Sequence, residues 1–247
     1  MERALIIILL VCICILIVGN DVIAKAKSEV IDILSLPGWE RRGTADLKAK
    51  VKYDKDDKIL RITNPDCYSY SVENFNVSLK AEKPFEVKIK IETKGISHTK
   101  NIQLGFARLY NLQQMSWLEV GLGTEYPSID FNFLYFNLIN LKKPERERFL
   151  PIIQRNERIV VPQGIVLGIK VEDDSDGLGE KITIYNCGTG EIFKQTNLPY
   201  IFFKNKMFFG FESRNITNDP QGVQMEIEHF SVVFPGREAK KYLSIKK

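Results

Sequence analysis

The chain has only two histidines, His98 and His229, and no Cys-x-x-Cys pair among its four cysteines. A structural zinc site needs about four soft or imidazole ligands at short spacings, so that class of metal centre is excluded. There is no Gly-x-Ser-x-Gly elbow, and neither histidine lies beside a serine or cysteine nucleophile, so a triad hydrolase has no residue support. A segregated basic stripe is also missing: 35 Lys and Arg are interspersed with 31 Asp and Glu for a formal net charge of +4. Nucleic-acid backbones are neutralised by concentrated positive charge, so they are not the expected partner. Internal repeats of fixed period and strand-helix alternation are absent as well.

Only one long apolar run is present, from Ala4 to Val18 behind Met1-Glu2-Arg3. Gly19-Asn20-Asp21 ends it, and Ala24-Lys25-Ala26 offers small residues where a signal peptidase reads. Residues 1–26 therefore read as a signal peptide, or, uncleaved, as a short helical membrane anchor, since the run falls below the ~20 residues of a comfortable span. Cys12 and Cys14 lie inside this run, which leaves Cys67 and Cys187 as one disulfide or as two separate buried thiols.

Residues 27–46 mix apolar side chains with a Pro37-Gly38 breaker and read as a leader strand or docked extension. From residue 47 to residue 236 the pattern has a period of two. Phe85, Val87, Ile89 and Ile91 alternate with Glu86, Lys88, Lys90 and Glu92, which places an apolar face inward and a charged face in water. Ten further strands are expected over 47–53, 59–62, 102–109, 115–121, 129–136, 165–171, 181–185, 191–195, 207–211 and 223–234. Turn-forming clusters such as Asn64-Pro65-Asp66 and Gly188-Thr189-Gly190 separate several of them. In the last strand Val223, Met225 and Ile227 share one phase and Phe230, Val232 and Phe234 the other, so a β-bulge is expected near Glu228 and His229. Between residues 142 and 157, Pro144 and Pro151 limit any helix to about two turns. The fold class is all-β, two antiparallel sheets packed face to face, with residues 237–247 as a basic tail.

Ile184-Tyr185-Asn186, Phe209-Gly210-Phe211 and the bulged Ile227-Glu228-His229-Phe230-Ser231-Val232 occupy about the last 70 residues in a familiar order. This stretch resembles the closing strands of concanavalin A-like lectin and glucanase domains, including the laminin G-like type. The resemblance implies a jelly-roll sandwich. Catalytic glucanases of that fold carry Glu-x-Asp-x-x-Glu on one strand, and this chain has no such string. Glu226 and Glu228 come nearest to it and read as the solvent side of an edge strand.

Two constellations suggest binding. The loop Glu172 to Glu180 clusters Asp173, Asp174, Asp176 and Glu180 around Gly177 and Gly179, and such carboxylates can wrap Ca²⁺, as many sandwich lectins do, or form a plain hydrophilic turn. Trp117, Tyr126 and Tyr135 fall in strands apolar in both phases, which need a second cover: a glycan, a neighbouring subunit, or the 142–157 excursion. Asn76-Val77-Ser78 and Asn215-Ile216-Thr217 match the N-glycosylation acceptor pattern. The expected function is a secreted or cell-surface, non-catalytic carbohydrate-binding or adhesion module. The competing readings are a subunit of an extracellular filament or envelope layer assembled through its leader strand, and a polysaccharide hydrolase. Carbohydrate or neighbouring subunits are the expected partners, and the membrane only through an uncleaved N-terminus.

Overall fold

The structure, a computed structural model, describes residues 29–42, 50–64, 70–94, 103–113, 115–125, 128–153, 157, 159–162, 164–198, 202–203, 205–215 and 223–245. The expected signal or anchor segment lies outside these residues. Among those described, no helix is long and apolar enough to cross a membrane. In chain order the strands are β1 (Glu29–Asp32), β2 (Glu40–Arg42), β3 (Lys50–Asp54), β4 (Ile59–Asn64), β5 (Tyr70–Ala81) and β6 (Phe85–Lys94). They continue with β7 (Gln103–Asn111), β8 (Ser116–Glu125), β9 (Ser128–Asn140), β10 (Phe149–Pro151), β11 (Val160–Pro162) and β12 (Leu167–Asp173). The last five are β13 (Glu180–Asn186), β14 (Ile192–Leu198), β15 (Asn205–Asn215), β16 (Val223–Phe234) and β17 (Leu243–Ile245).

They form two open antiparallel sheets. Sheet A runs β14-β13-β12-β6-β16-β4-β3, with β1 also on β16; sheet B runs β10-β9-β8-β7-β15-β5-β17, with β11 on β9 and β2 on β5. Alternation decides which side of each strand is dry. In β6, Phe85, Val87, Ile89 and Ile91 are buried while Glu86, Lys88, Lys90 and Glu92 point outward. From sheet B, Phe209 and Phe211 meet Phe230 of sheet A at ring separations of 5.5 and 5.0 Å in edge-to-face geometry. Such pairs add roughly 0.5–1.5 kcal/mol beyond the area they bury.

The bulge in β16 is present. Ile227 pairs with Ile91 and His229 with Lys90, so Glu228 is the extra residue, and the apolar phase changes across it. The other edge of β16 changes partner at the same place: β4 pairs with residues 223–227 and β1 with residues 231–234. The segment read as a leader therefore belongs to its own chain's sheets, with Ile31, Ile33 and Leu34 buried and Trp39 against Phe211 at 5.2 Å. The tail likewise returns through β17, and Tyr242 stacks on Phe234 at 4.4 Å.

The alternation reading missed β5. Val72 and Asn74 are buried in one phase and Val77 and Leu79 in the other. The slip occurs where Asn74 Oδ1 accepts the amides of Asn76 (3.2 Å) and Val77 (3.1 Å), a side chain replacing the ladder for one turn of chain. The 142–157 excursion carries a short 3-10 turn at Glu145–Glu147, and β10 then extends the edge of β9 in the plane of sheet B.

Candidate functional site

Pairing register, not sequence proximity, assembles the outward face of sheet B. Asn137 lies across from Glu119, Glu119 from Arg108, Arg108 from Gly210 and Gly210 from Glu73, one row crossing five strands. Two residues along the strands, Tyr135, Gly121, Phe106 and Glu212 make the next row; on the other side Ile139, Trp117, Tyr110 and Phe208 make a third. Strand parity puts the described side chains of these rows on the side opposite the core, at a row spacing of about 6.6 Å.

The middle row is a buried polar network. Arg108 Nε and Nη2 donate to Glu119 Oε1 at 3.0 and 2.8 Å, and Nη2 also pairs with Glu212. Arg108 Nη1 donates to the Tyr110 hydroxyl at 3.3 Å, and that hydroxyl donates to Glu73 Oε1 at 2.7 Å. Trp117 Nε1 donates to Glu119 Oε1 at 3.0 Å, and its ring lies 5.4 Å from the guanidinium carbon. Glu119 is 0% exposed, Glu212 2% and Arg108 8%, so the ion pairs are dry. Burial pushes the Tyr110 phenol above its usual value; Arg108 pulls it back and Glu73 pushes it up again, so the hydroxyl stays a donor. Gly210 is required here: a Cβ would stand 2.8 Å from the Tyr110 ring and 3.2 Å from Glu73 Cγ.

Trp117 and Tyr135, both half-buried, are brought to this same face, with Asn137 and Glu119 between them. Tyr126 lies outside the described residues. The arrangement sets the partly exposed Trp117 and Tyr135 on the same face as Glu73, a partly exposed carboxylate able to accept from hydroxyls, while Glu119 and Asn137 are buried. It also sets two carboxylates on one guanidinium. Sequence reasoning did not name Glu73, Arg108, Tyr110, Glu119 or Glu212, although Phe106-Arg108-Tyr110 and Trp117-Glu119 each place charge and aromatic rings in a single phase.

The acidic loop is arranged differently from the expected ligand set. Glu180 is 0% exposed, accepts the Phe202 and Phe203 amides at 3.0 and 2.9 Å, and pairs with Lys83 at 2.9 Å. Asp173 takes the same ammonium at 2.6 Å, Asp174 Oδ1 accepts from Ser175 N and Asn197 Nδ2, and Asp176 accepts from Ser175 Oγ. The four carboxylates therefore do not converge on one point, because Lys83 holds two of them. Burial pushes the Glu180 carboxyl up against the pull of Lys83; burial alone would lower Lys83, but Asp173 and Glu180 outweigh it and hold it above its usual value.

An acidic cluster does occur on sheet A. Glu92, Glu226 and Glu228 bring one oxygen each within 4.8 Å of one another. Arg61 Nε donates to Glu226 at 3.0 Å, and Lys90 pairs with Glu92 at 3.1 Å and with Glu228. Cys187 carries a free thiol whose pKa burial raises; its expected disulfide partner, Cys67, lies outside the described residues. Asn76 is half-buried against Gly38, where a Cβ would come within 2.8 Å of it.

No family model matches the sequence, and no curated protein matches it. Among solved structures the chain is similar to the CBM2 module of the evolved Dit of Lactobacillus casei BL23 phage J-1, with a TM-score of 0.51 and 7% identity over 86% of this chain and 99% of that one. It is also similar to the Emp47p carbohydrate recognition domain, at TM-score 0.48 and 14% identity over 87% and 97%. A legume lectin-like domain from Entamoeba histolytica gives 0.41 and 14% over 76% and 87%. At these identities the likeness is one of fold alone, a β-sandwich of two open antiparallel sheets.

Proposed function

We propose that the outward face of sheet B binds carbohydrate, in a protein exported by its N-terminal segment. One observation carries this reading: Trp117 and Tyr135 flank the Asn137-Glu119-Arg108-Gly210-Glu73 row on one face. Sugar rings have apolar faces that stack on aromatics and hydroxyl edges that pair with fixed carboxylates; Trp117 and Tyr135 supply the first and Glu73, the partly exposed carboxylate of the row, the second. A glycan array tests the reading, run with and without Ca²⁺ to separate a calcium-shaped site from one built of side chains alone. Binding that falls at least tenfold in Trp117→Ala or Tyr135→Ala supports it; no binding in either condition removes it.

A second reading is cleavage of a polysaccharide. It is favoured by Glu119 and Glu212, two dry carboxylates on one face, because glycoside hydrolysis uses a paired acid and base or nucleophile. Glu226, the nearest sequence candidate, belongs to the other sheet and is held by Arg61. Hydrolysis of a β-glucan panel, lost in both Glu119→Gln and Glu212→Gln, would establish this reading over simple binding.

A further inference from the structure

Five of the ten exposed large hydrophobic side chains among the described residues gather at one corner of sheet B, on two adjacent connections. Leu112 (41% exposed) and Met115 (51%) lie in the β7-β8 turn, and Leu141 (40%), Phe149 (52%) and Leu150 (51%) lie where β9 passes into β10. The connections are tied together: Leu141 N donates to Met115 O at 2.9 Å and Lys142 Nζ to Gln113 O at 2.9 Å. Phe149 and Leu150 are neighbours on an edge strand, so they point to opposite faces, and both are in water. Met115 sits at φ +50°, a region that glycine or asparagine enters more easily, so neither conformation nor solvation explains a methionine there.

The same corner is positively charged. Residues 141–150 are all exposed and carry Lys142, Lys143, Arg146 and Arg148 against only Glu145 and Glu147. Lys142 and Arg148 donate to backbone carbonyls of Gln113 and Lys143, which leaves their charge uncompensated. A second copy of the chain would bring like charges together on this patch. Nucleic acid would use the cations but has no use for four aliphatic side chains. An anionic lipid surface takes both: aliphatic and aromatic side chains enter the headgroup boundary while lysine and arginine remain at the phosphates.

We infer that this corner, formed by the β7-β8 turn and residues 141–150, docks on anionic membrane surfaces. It lies beside the face proposed for carbohydrate and is independent of that reading. The test uses the full chain with Phe149→Trp, mixed with vesicles of phosphatidylcholine alone or with phosphatidylserine, each with brominated acyl chains. Bromine quenches only an indole that reaches the acyl boundary, so insertion through the N-terminal apolar run does not mimic the signal. The expected result is quenching in the phosphatidylserine vesicles and little in the neutral ones. Partitioning should weaken on the order of a hundredfold in Lys142→Ala/Lys143→Ala/Arg146→Ala, about fivefold per charge. No added quenching of the introduced indole in phosphatidylserine vesicles, measured against the unsubstituted chain, overturns the inference, as does equal quenching in neutral ones or an unchanged partition in the triple variant. A shift in the introduced indole's emission that follows protein concentration without lipid assigns the patch to self-association and overturns it too.

Discussion

Replacing Arg108 by methionine keeps most of the side chain's volume and removes its charge. Arg108 is 8% exposed and its guanidinium holds Glu119 and Glu212, themselves 0% and 2% exposed. Breaking a buried ion pair from one side strands the remaining charge, at a cost of about 3–5 kcal/mol, because the carboxylates keep their desolvation penalty and lose their cation. Set against a domain stability of roughly 5–15 kcal/mol, that is a large share. With a urea dependence near 2 kcal/mol per molar, the unfolding midpoint of Arg108→Met should fall by about 2 M with little change of slope. Equilibrium urea unfolding followed by far-UV circular dichroism reads this directly. A fall smaller than about 0.5 M would mean that water reaches the carboxylates, and the picture of a dry network would be wrong.

The companion variant separates structure from function. In Arg108→Met/Glu119→Leu/Glu212→Leu no charge is stranded, and replacing a buried ion group by apolar residues of similar size is often neutral or stabilising by about 1–4 kcal/mol. The triple variant should recover the midpoint lost by the single one and still fail to bind on the glycan array. If it unfolds as early as Arg108→Met, the network is needed by the fold and the functional argument for it fails.

Two further outcomes follow from sheet A. His229 shares a 2.9 Å hydrogen bond with Ser231 Oγ; burial lowers its pKa, nearby Asp32 opposes that shift and Lys88 adds to it. A histidine with a folded value below 6.5 stabilises the fold above that pH and loses the contribution as pH falls, so thermal midpoints should drop on acidification below about pH 6.5. His229→Gln should flatten that limb, and identical pH slopes would refute the assignment. At Gly168 a Cβ would lie 2.2 Å from Tyr185 Cζ, whose ring crosses the strand so that its hydroxyl reaches Glu86. Gly168→Ala should cost about 1–3 kcal/mol by displacing the ring. In a Tyr185→Ala background the same substitution should cost almost nothing, and an undiminished cost there would show that the backbone, not the ring, sets the limit.

Much of the sandwich was legible because period two is a local property. Phe85 to Ile91 announces its buried face without reference to any other strand, and the phase change in β16 locates the extra residue at Glu228. β5 was not legible because Asn74 turns its side chain onto the amides of Asn76 and Val77 and reverses the phase in mid-strand. The polar face of sheet B was half legible. Alternation separates Arg108 and Tyr110 from Ala107 and Leu109, but only register sets Arg108 beside Glu119 and Glu212, residues 11 and 104 positions away. The acidic loop is likewise organised by register. Asp173 and Glu180 are close in sequence and opposite in the β12-β13 hairpin, yet the group that organises them is Lys83, which arrives just before β6.

The outward faces of the two sheets differ in a way that bears on function. On sheet A, Lys88 pairs with Glu86, Lys90 with Glu92 and Lys170 with Glu172, all partly in water. Such pairs are worth roughly 0–1 kcal/mol each and keep a sheet face soluble at almost no cost to folding. Of the three clustered carboxylates there, Glu92 and Glu228 meet Lys90 partly in water, and Glu226 alone is dry, 4% exposed and held by Arg61. On sheet B the same strand geometry instead carries a dry guanidinium, dry carboxylates and a phenol beside half-exposed rings. Solvated lysine and glutamate pairs like those of sheet A would serve an outward face without the desolvation cost that these buried charges carry. Charges held out of water at that cost are the reason the carbohydrate proposal is placed on this face.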